Sequence, residues 1–210
     1  MQASIKRFFT SGSKKQRDNR WIFGSMLVGS LLALLASFVL STEALQLASN
    51  PNAVFSCSVN LVLNCSTVAK DASSHVFGFP NSFVGMMTLP VMVTIAVAGL
   101  AGVKFPRWFM RAAMAGSVLG VLFAAWMFYV SYFVIQALCP WCLLTDVSML
   151  LVLFAVFRYN VRENNLCVRG KWVDYAKNCI NKNYDKLALA IVVVAIAAAI
   201  LLKYGSALFV

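Results

Sequence analysis

The chain has 210 residues, 61% of them hydrophobic and 12% charged, with a formal net charge of +11. Soluble domains carry about 25% charged residues, so a single water-soluble core is excluded. The positive charge gives little support to nucleic-acid binding, because it lies as a collar between apolar stretches.

A spanning helix needs about 20 apolar residues. Residues 1–20 form a basic segment with Lys6, Arg7, Lys14, Lys15, Arg17 and Arg20. The first apolar stretch, 21–40, is longer than the roughly 7–15 residues of a signal-peptide core, so it reads as an uncleaved helix. A polar loop at 41–81 follows. The second and third stretches are 82–103 and 112–138, joined through Lys104, Arg107 and Arg111. The fourth, 139–157, is interrupted only by Asp146. A basic linker at 161–186 leads to the fifth, 187–202, within a final unit at 187–210; Lys203 can snorkel and Tyr204 can sit at the interface.

All basic residues but Lys70 and Lys203 fall on one side of this serpentine. The positive-inside rule then places the N-terminus in the cytoplasm and the C-terminus outside. The expected fold is an all-α integral membrane protein: a four-helix catalytic bundle over 21–160 plus a fifth transmembrane helix. Loop 41–81 and the junction at 138–140 both face outward.

That topology sorts the six cysteines. Cys57, Cys65, Cys139 and Cys142 lie outside, where disulfides persist; Cys167 and Cys179 lie inside, where thiols stay reduced. The two inner cysteines read as ordinary free thiols. The outer four could bind zinc on paper, but the second half of a CxxC…CxxC signature is missing and an oxidising compartment favours disulfides. No metal is expected.

Cys139-Pro140-Trp141-Cys142 opens the fourth helix. Proline is tolerated in a first turn. Unpaired N–H groups and the helix dipole stabilise a thiolate there. Residues three apart share a helix face, so Cys139 and Cys142 can bond, with Cys142 about 4.5 Å deeper along the axis. Cys57 and Cys65 in one continuous helix would be about 12 Å apart, beyond the roughly 4.4–6.8 Å between Cα atoms that a disulfide tolerates. If they pair, the chain must turn between them. Such a loop is expected to stay near the bundle mouth and to let one cysteine reach Cys139.

The pair Cys57…Cys65, the run Phe77-Gly78-Phe79-Pro80-Asn81-Ser82-Phe83-Val84-Gly85 and Cys139-Pro140-Trp141-Cys142 together resemble the vitamin K epoxide reductase family, bacterial branch. The likeness covers roughly 20–160. It implies a bundle enclosing a quinone, of menaquinone or ubiquinone type, at its outward end. It also implies Cys139 and Cys142 as the redox centre, with Cys142 toward the quinone, Cys57 and Cys65 as the shuttle pair, and Asn81 at the quinone carbonyl. Some relatives carry a fused thioredoxin-like domain. This sequence stops at Val210, so the expected partner is a separate secreted or periplasmic thioredoxin-like protein, alongside the membrane quinone pool and the lipid bilayer. Two positions depart from relatives: Asp71, where many have a small hydroxyl residue, and Asp146, where the human-type enzymes have tyrosine.

Asp146 lies one turn below Cys142 on the same face, and an ionisable residue inside a span is a functional candidate by default. It reads either as a proton donor to reduced quinone or as a helix–helix hydrogen-bonding group. Trp141 is expected to pack around the redox site, and His75 to be a solvated loop residue. The expected activity is that of a quinone-dependent thiol oxidase in a bacterial plasma membrane, its redox site on the extracytoplasmic side. Electrons would pass from a protein dithiol through Cys57, Cys65, Cys139 and Cys142. The alternatives are a reductase of a small-molecule quinone or quinone epoxide, and a non-enzymatic membrane scaffold whose loop disulfide is structural.

Overall fold

A computed structural model describes residues 13–53, 55, 57–58, 62–166 and 171–208. Cys167 lies outside the described residues. Helix α1 spans Lys14–Ser49. Its start is fixed by a capping box: Ser13 Oγ accepts from the Gln16 N–H, and the Gln16 side chain accepts from the Ser13 N–H. Its 36 residues extend about 54 Å, well past a hydrocarbon core of about 30 Å. The apolar stretch at 21–40 is therefore only the middle of this helix, and its last turns carry Glu43 beyond that stretch.

A short helix α2 (Cys65–Lys70) and a 3-10 turn (Ala72–His75) lie in the following loop. Helix α3 is Ser82–Leu100. Helix α4 is Arg107–Tyr129 and continues as a π-helical turn, Val130–Ile135. Gln136, at φ 57°, closes it in the left-handed conformation common at helix C-termini. Helix α5 is Pro140–Arg162, with Pro140 in its first turn as expected. Helices α6 (Lys171–Asn181) and α7 (Tyr184–Leu208) complete the chain. Among the described residues, five helices are long and apolar enough to cross a membrane, and the protein is an all-α, multi-pass membrane bundle. Helix α6 was not foreseen, because the polar linker offers no long apolar run.

Helix α1 is the hub, packing against α3 and α5, while α4 packs on α5. One buried cluster sits toward the basic end and includes Phe23, Met26, Ile95, Met110, Val152 and Tyr159. A second, at the opposite end, holds Phe55, Cys65, Val68, Ala137 and Cys139. Close approach of α1 and α5 depends on Gly29. A Cβ there would lie 2.9 Å from the Ser148 backbone oxygen and 3.0 Å from Val152 Cγ2. Backbone cannot step aside as a side-chain tip can, and small residues at such crossings are how membrane helices approach. Gly29→Ala is expected to lower stability by about 1–3 kcal/mol, read as a reduced unfolding temperature in detergent.

Helix α7 is fastened at both ends. At one end Asp185 pairs with Arg158 of α5. At the other, the Tyr204 hydroxyl donates to the Tyr132 carbonyl at 2.8 Å, and the Tyr132 hydroxyl donates to the Ala199 carbonyl at 3.0 Å.

Candidate active site

Cys57 and Cys65 form a disulfide with a Cα–Cα separation of 5.8 Å. The expected turn between them exists: Cys57 lies in a loop turn, and Cys65 starts α2. Asn64 sets that start. Its Oδ1 accepts from the Thr67 N–H at 3.1 Å, the Ser66 hydroxyl at 2.8 Å and the Ser58 hydroxyl at 3.1 Å. One asparagine thus caps α2 and clasps the turn that carries Cys57.

The loop is pinned to the CxxC segment by backbone. Leu63 and Leu138 form an isolated parallel bridge. The Leu138 N–H donates to the Val62 carbonyl at 2.7 Å, and the Asn64 N–H donates to the Leu138 carbonyl at 3.0 Å. Leu138 precedes Cys139 and Asn64 precedes Cys65, so the bridge brings these two cysteines together. Both are buried in one cluster, where Cys57, Trp141 and Cys142 also pack. The loop therefore sits at the bundle mouth, docked by backbone hydrogen bonds.

Cys139 is the N-cap of α5, and its Sγ accepts from the Cys142 N–H at 3.4 Å. Neither Cys139 nor Cys142 is in a disulfide, nor is Cys179 in α6. Cys139 is shallower along the helix axis, yet it is more buried than Cys142, because the loop covers it.

A cavity of about 80 Å³ opens on three of the four cysteines. Cys65, Cys139, Cys142 and Asn81 line it, with Leu40, Ala44, Val68, Met127 and Pro80 as apolar wall and Ser74, Ser82 and His75 as polar rim. Apolar walls, a few hydroxyl and amide groups and a thiol pair suit a quinone ring. The volume is below the roughly 300–1,000 Å³ of a ligand-enclosing pocket, so a ring must part the walls to enter. A larger cavity, about 650 Å³, lies at the opposite end among Lys14, Arg17, Trp21, Arg162 and Lys186, far from this chemistry.

The other candidates fall as follows. The Asn81 side chain organises the loop: Nδ2 donates to the Ser73 carbonyl at 2.7 Å, and Oδ1 accepts from the Val76 N–H at 3.1 Å. Trp141 packs on the cysteine cluster outside the cavity wall, and Asp146 is half-buried one turn below Cys142, also outside it. Asp71 caps the 3-10 turn, accepting from the Ser73 N–H at 2.9 Å and the Ser73 hydroxyl at 2.6 Å. The Ser73 hydroxyl, then its N–H, hold the Asp71 carboxyl below its usual range. His75 is exposed but reaches the cavity rim.

One residue of the site was not foreseen. Glu43, in the last turns of α1, is only 7% exposed. Its Oε1 lies 3.3 Å from Cys57 Sγ, and its Oε2 is buried with no hydrogen-bond partner among the described residues. Its carboxylate and the sulfurs of Cys57 and Cys65 all lie within 4.8 Å of one another. That donor set could hold a metal ion only with the disulfide open, since bonded sulfurs offer no thiolate. The sequence signal was available: Glu43 is the one acidic residue between Asp18 and Asp71.

Comparison of the whole sequence with curated proteins found no match. The family comparison did: the model of the vitamin K epoxide reductase family matches residues 25–157. The matched stretch runs from within α1 almost to the end of α5 and contains both cysteine pairs, their bridge and the cavity. The chain belongs to the vitamin K epoxide reductase family, and is a membrane thiol–disulfide oxidoreductase linked to quinone.

Proposed function

We propose that this protein is a quinone-dependent thiol oxidase of a bacterial plasma membrane that reoxidises a secreted thioredoxin-like disulfide-forming protein. The observation that carries the reading is the burial of Cys65 and Cys139 in one cluster under the Leu63–Leu138 bridge. Thiol–disulfide exchange needs sulfur to reach sulfur, and here the inner member of the loop pair adjoins the outer member of the CxxC. The basic collar and the positive-inside rule support an extracytoplasmic redox end, where such a partner would be met.

In this reading a partner thiolate attacks Cys57, and the Cys57–Cys65 bond breaks with its electron pair on Cys65. Cys65 then attacks Cys139 of an oxidised Cys139–Cys142 pair, and Cys142 leaves as thiolate. The partner's second thiol resolves its mixed disulfide and frees Cys57. Cys57 in turn recovers Cys65 and releases Cys139. One partner disulfide has formed and one CxxC has been reduced. A quinone bound in the cavity would supply the two-electron, two-proton acceptor; Cys142 and the apolar wall of Leu40, Val68 and Met127 would hold it.

The test is a trap. In Cys65→Ala, the free Cys57 thiolate can attack the disulfide of an oxidised partner, breaking that bond with its electron pair on the partner's second sulfur. Nothing on the loop can then displace the partner from Cys57, so a mixed disulfide through Cys57 is expected to accumulate in cells. Mass spectrometry should find a secreted thioredoxin-like protein in it. The reading is overturned if Cys57 captures nothing while the purified wild-type protein turns over a quinone epoxide.

A further inference from the structure

Glu43 is buried against the loop disulfide, with one oxygen 3.3 Å from Cys57 Sγ and the other without a hydrogen-bond partner among the described residues. A carboxyl group is costly to bury unpaired, and α1 could place an apolar side chain there with no loss of helix. A disulfide sulfur carries no hydrogen. The contact with Cys57 is therefore a hydrogen bond only when the carboxyl carries the proton. Once the disulfide opens, either thiol can donate to the carboxylate instead. The three atoms lie within 4.8 Å of one another, so a proton can pass between carboxyl and sulfur with little movement.

We infer that Glu43 is the proton-transfer residue of the loop disulfide, lending a proton to Cys65 when it leaves and taking it back when it attacks. In the first exchange, the partner's sulfur bonds to Cys57, the Cys57–Cys65 bond breaks, and its electron pair goes to Cys65 Sγ, which takes the Glu43 proton. Glu43 is left as carboxylate. In the second, Cys65 Sγ returns that proton to Glu43 and bonds to Cys139 Sγ; the Cys139–Cys142 bond breaks with its pair on Cys142. Charge balances in each step, and Glu43 ends as it began. The gain lies in the dry mouth of the bundle, where a bare leaving thiolate is poorly solvated. Besides Cys57 and Cys65, Cys139 and Cys142 lie within electrostatic reach of Glu43.

This inference rests on the exchange chemistry proposed above, and its test isolates the first step from quinone turnover. The full-length protein carrying Cys139→Ala and Cys142→Ala retains only the loop disulfide as a redox pair. Its reduction by dithiothreitol is followed in detergent by quenching and thiol alkylation, with and without Glu43→Gln. The Glu43 protein should react about 100-fold faster at low pH, and the ratio of the two rates should fall toward one as rising pH removes the carboxyl proton. Glu43→Asp should restore part of the rate and the same direction of pH dependence. A ratio near one throughout, or a ratio that does not change with pH, overturns the inference. If the ratio behaves as expected while the wild-type protein fails to reduce a short-tailed quinone with dithiothreitol, the role of Glu43 stands and the quinone-dependent oxidase reading falls.

Discussion

Cys142→Ala is expected to stop quinone-dependent turnover yet leave a single round of dithiol oxidation. The loop disulfide is untouched by the substitution, because Cys57 and Cys65 are closed by their own turn and the Asn64 clasp. A dithiol can therefore still reduce it once. Cys139, with no Cys142 to bond, then has no disulfide to offer Cys65, and the electrons stop there. Steady-state quinone reduction should fall by roughly three orders of magnitude or more, as for loss of a covalent nucleophile. Thiol titration should count about one dithiol oxidised per chain, from the two-electron stoichiometry of exchange. Cys179→Ala is the control, because Cys179 lies in α6, near the basic end, and should leave both numbers unchanged. Sustained turnover in Cys142→Ala would mean that electrons bypass the CxxC, and the relay would be wrong.

The four cysteines gathered at one end of the bundle were legible because their signals are local and chemical. Each pair is a short spacing, and the charge collar assigns both pairs to one end of the bundle. The five spans were legible because lipid demands long apolar runs, which no packing detail can disguise. Helix ends were not. Helix α1 runs from Lys14 to Ser49 because a capping box and tertiary contacts extend it through polar residues, and hydropathy does not record either. The Leu63–Leu138 bridge was hidden for a different reason. It joins residues 75 apart in sequence through backbone groups, which carry no residue-type signature. Glu43 stood in plain view as a lone acid, yet only the register of α1 turns it inward to Cys57. Asn81, expected at the quinone carbonyl, lines the cavity, and its side chain also hydrogen-bonds Ser73 and Val76 of its own loop, contacts that its sequence position does not reveal.

Asp185→Ala is expected to produce the largest loss of stability in the chain, about 3–5 kcal/mol, by breaking a buried ion pair from one side. Arg158 is 6% exposed and Asp185 8%. The Arg158 Nη1 group donates to both carboxylate oxygens of Asp185, at 2.8 and 2.7 Å, and to the Ile180 carbonyl at 3.3 Å. Its Nε donates to Asp18 at 2.8 Å, and Asp18 also pairs with Arg162 at 2.6 Å. The pair sits where dipoles favour it, with the acid in the first turn of α7 and the cations in the last turns of α5. Removing Asp185 leaves a buried guanidinium with half its partners, and releases α7 from α5 at that end. The expected reading is a lower unfolding temperature in detergent, with wild-type turnover below it, because no residue of this cluster reaches the cysteines. The double variant Arg158→Met with Asp185→Leu distinguishes charge from packing. It removes both partners, leaves Asp18 paired with Arg162, and should recover most of the lost stability. If the double variant is as unstable as Asp185→Ala alone, then packing around the pair, and not the stranded charge, holds α7 to the bundle.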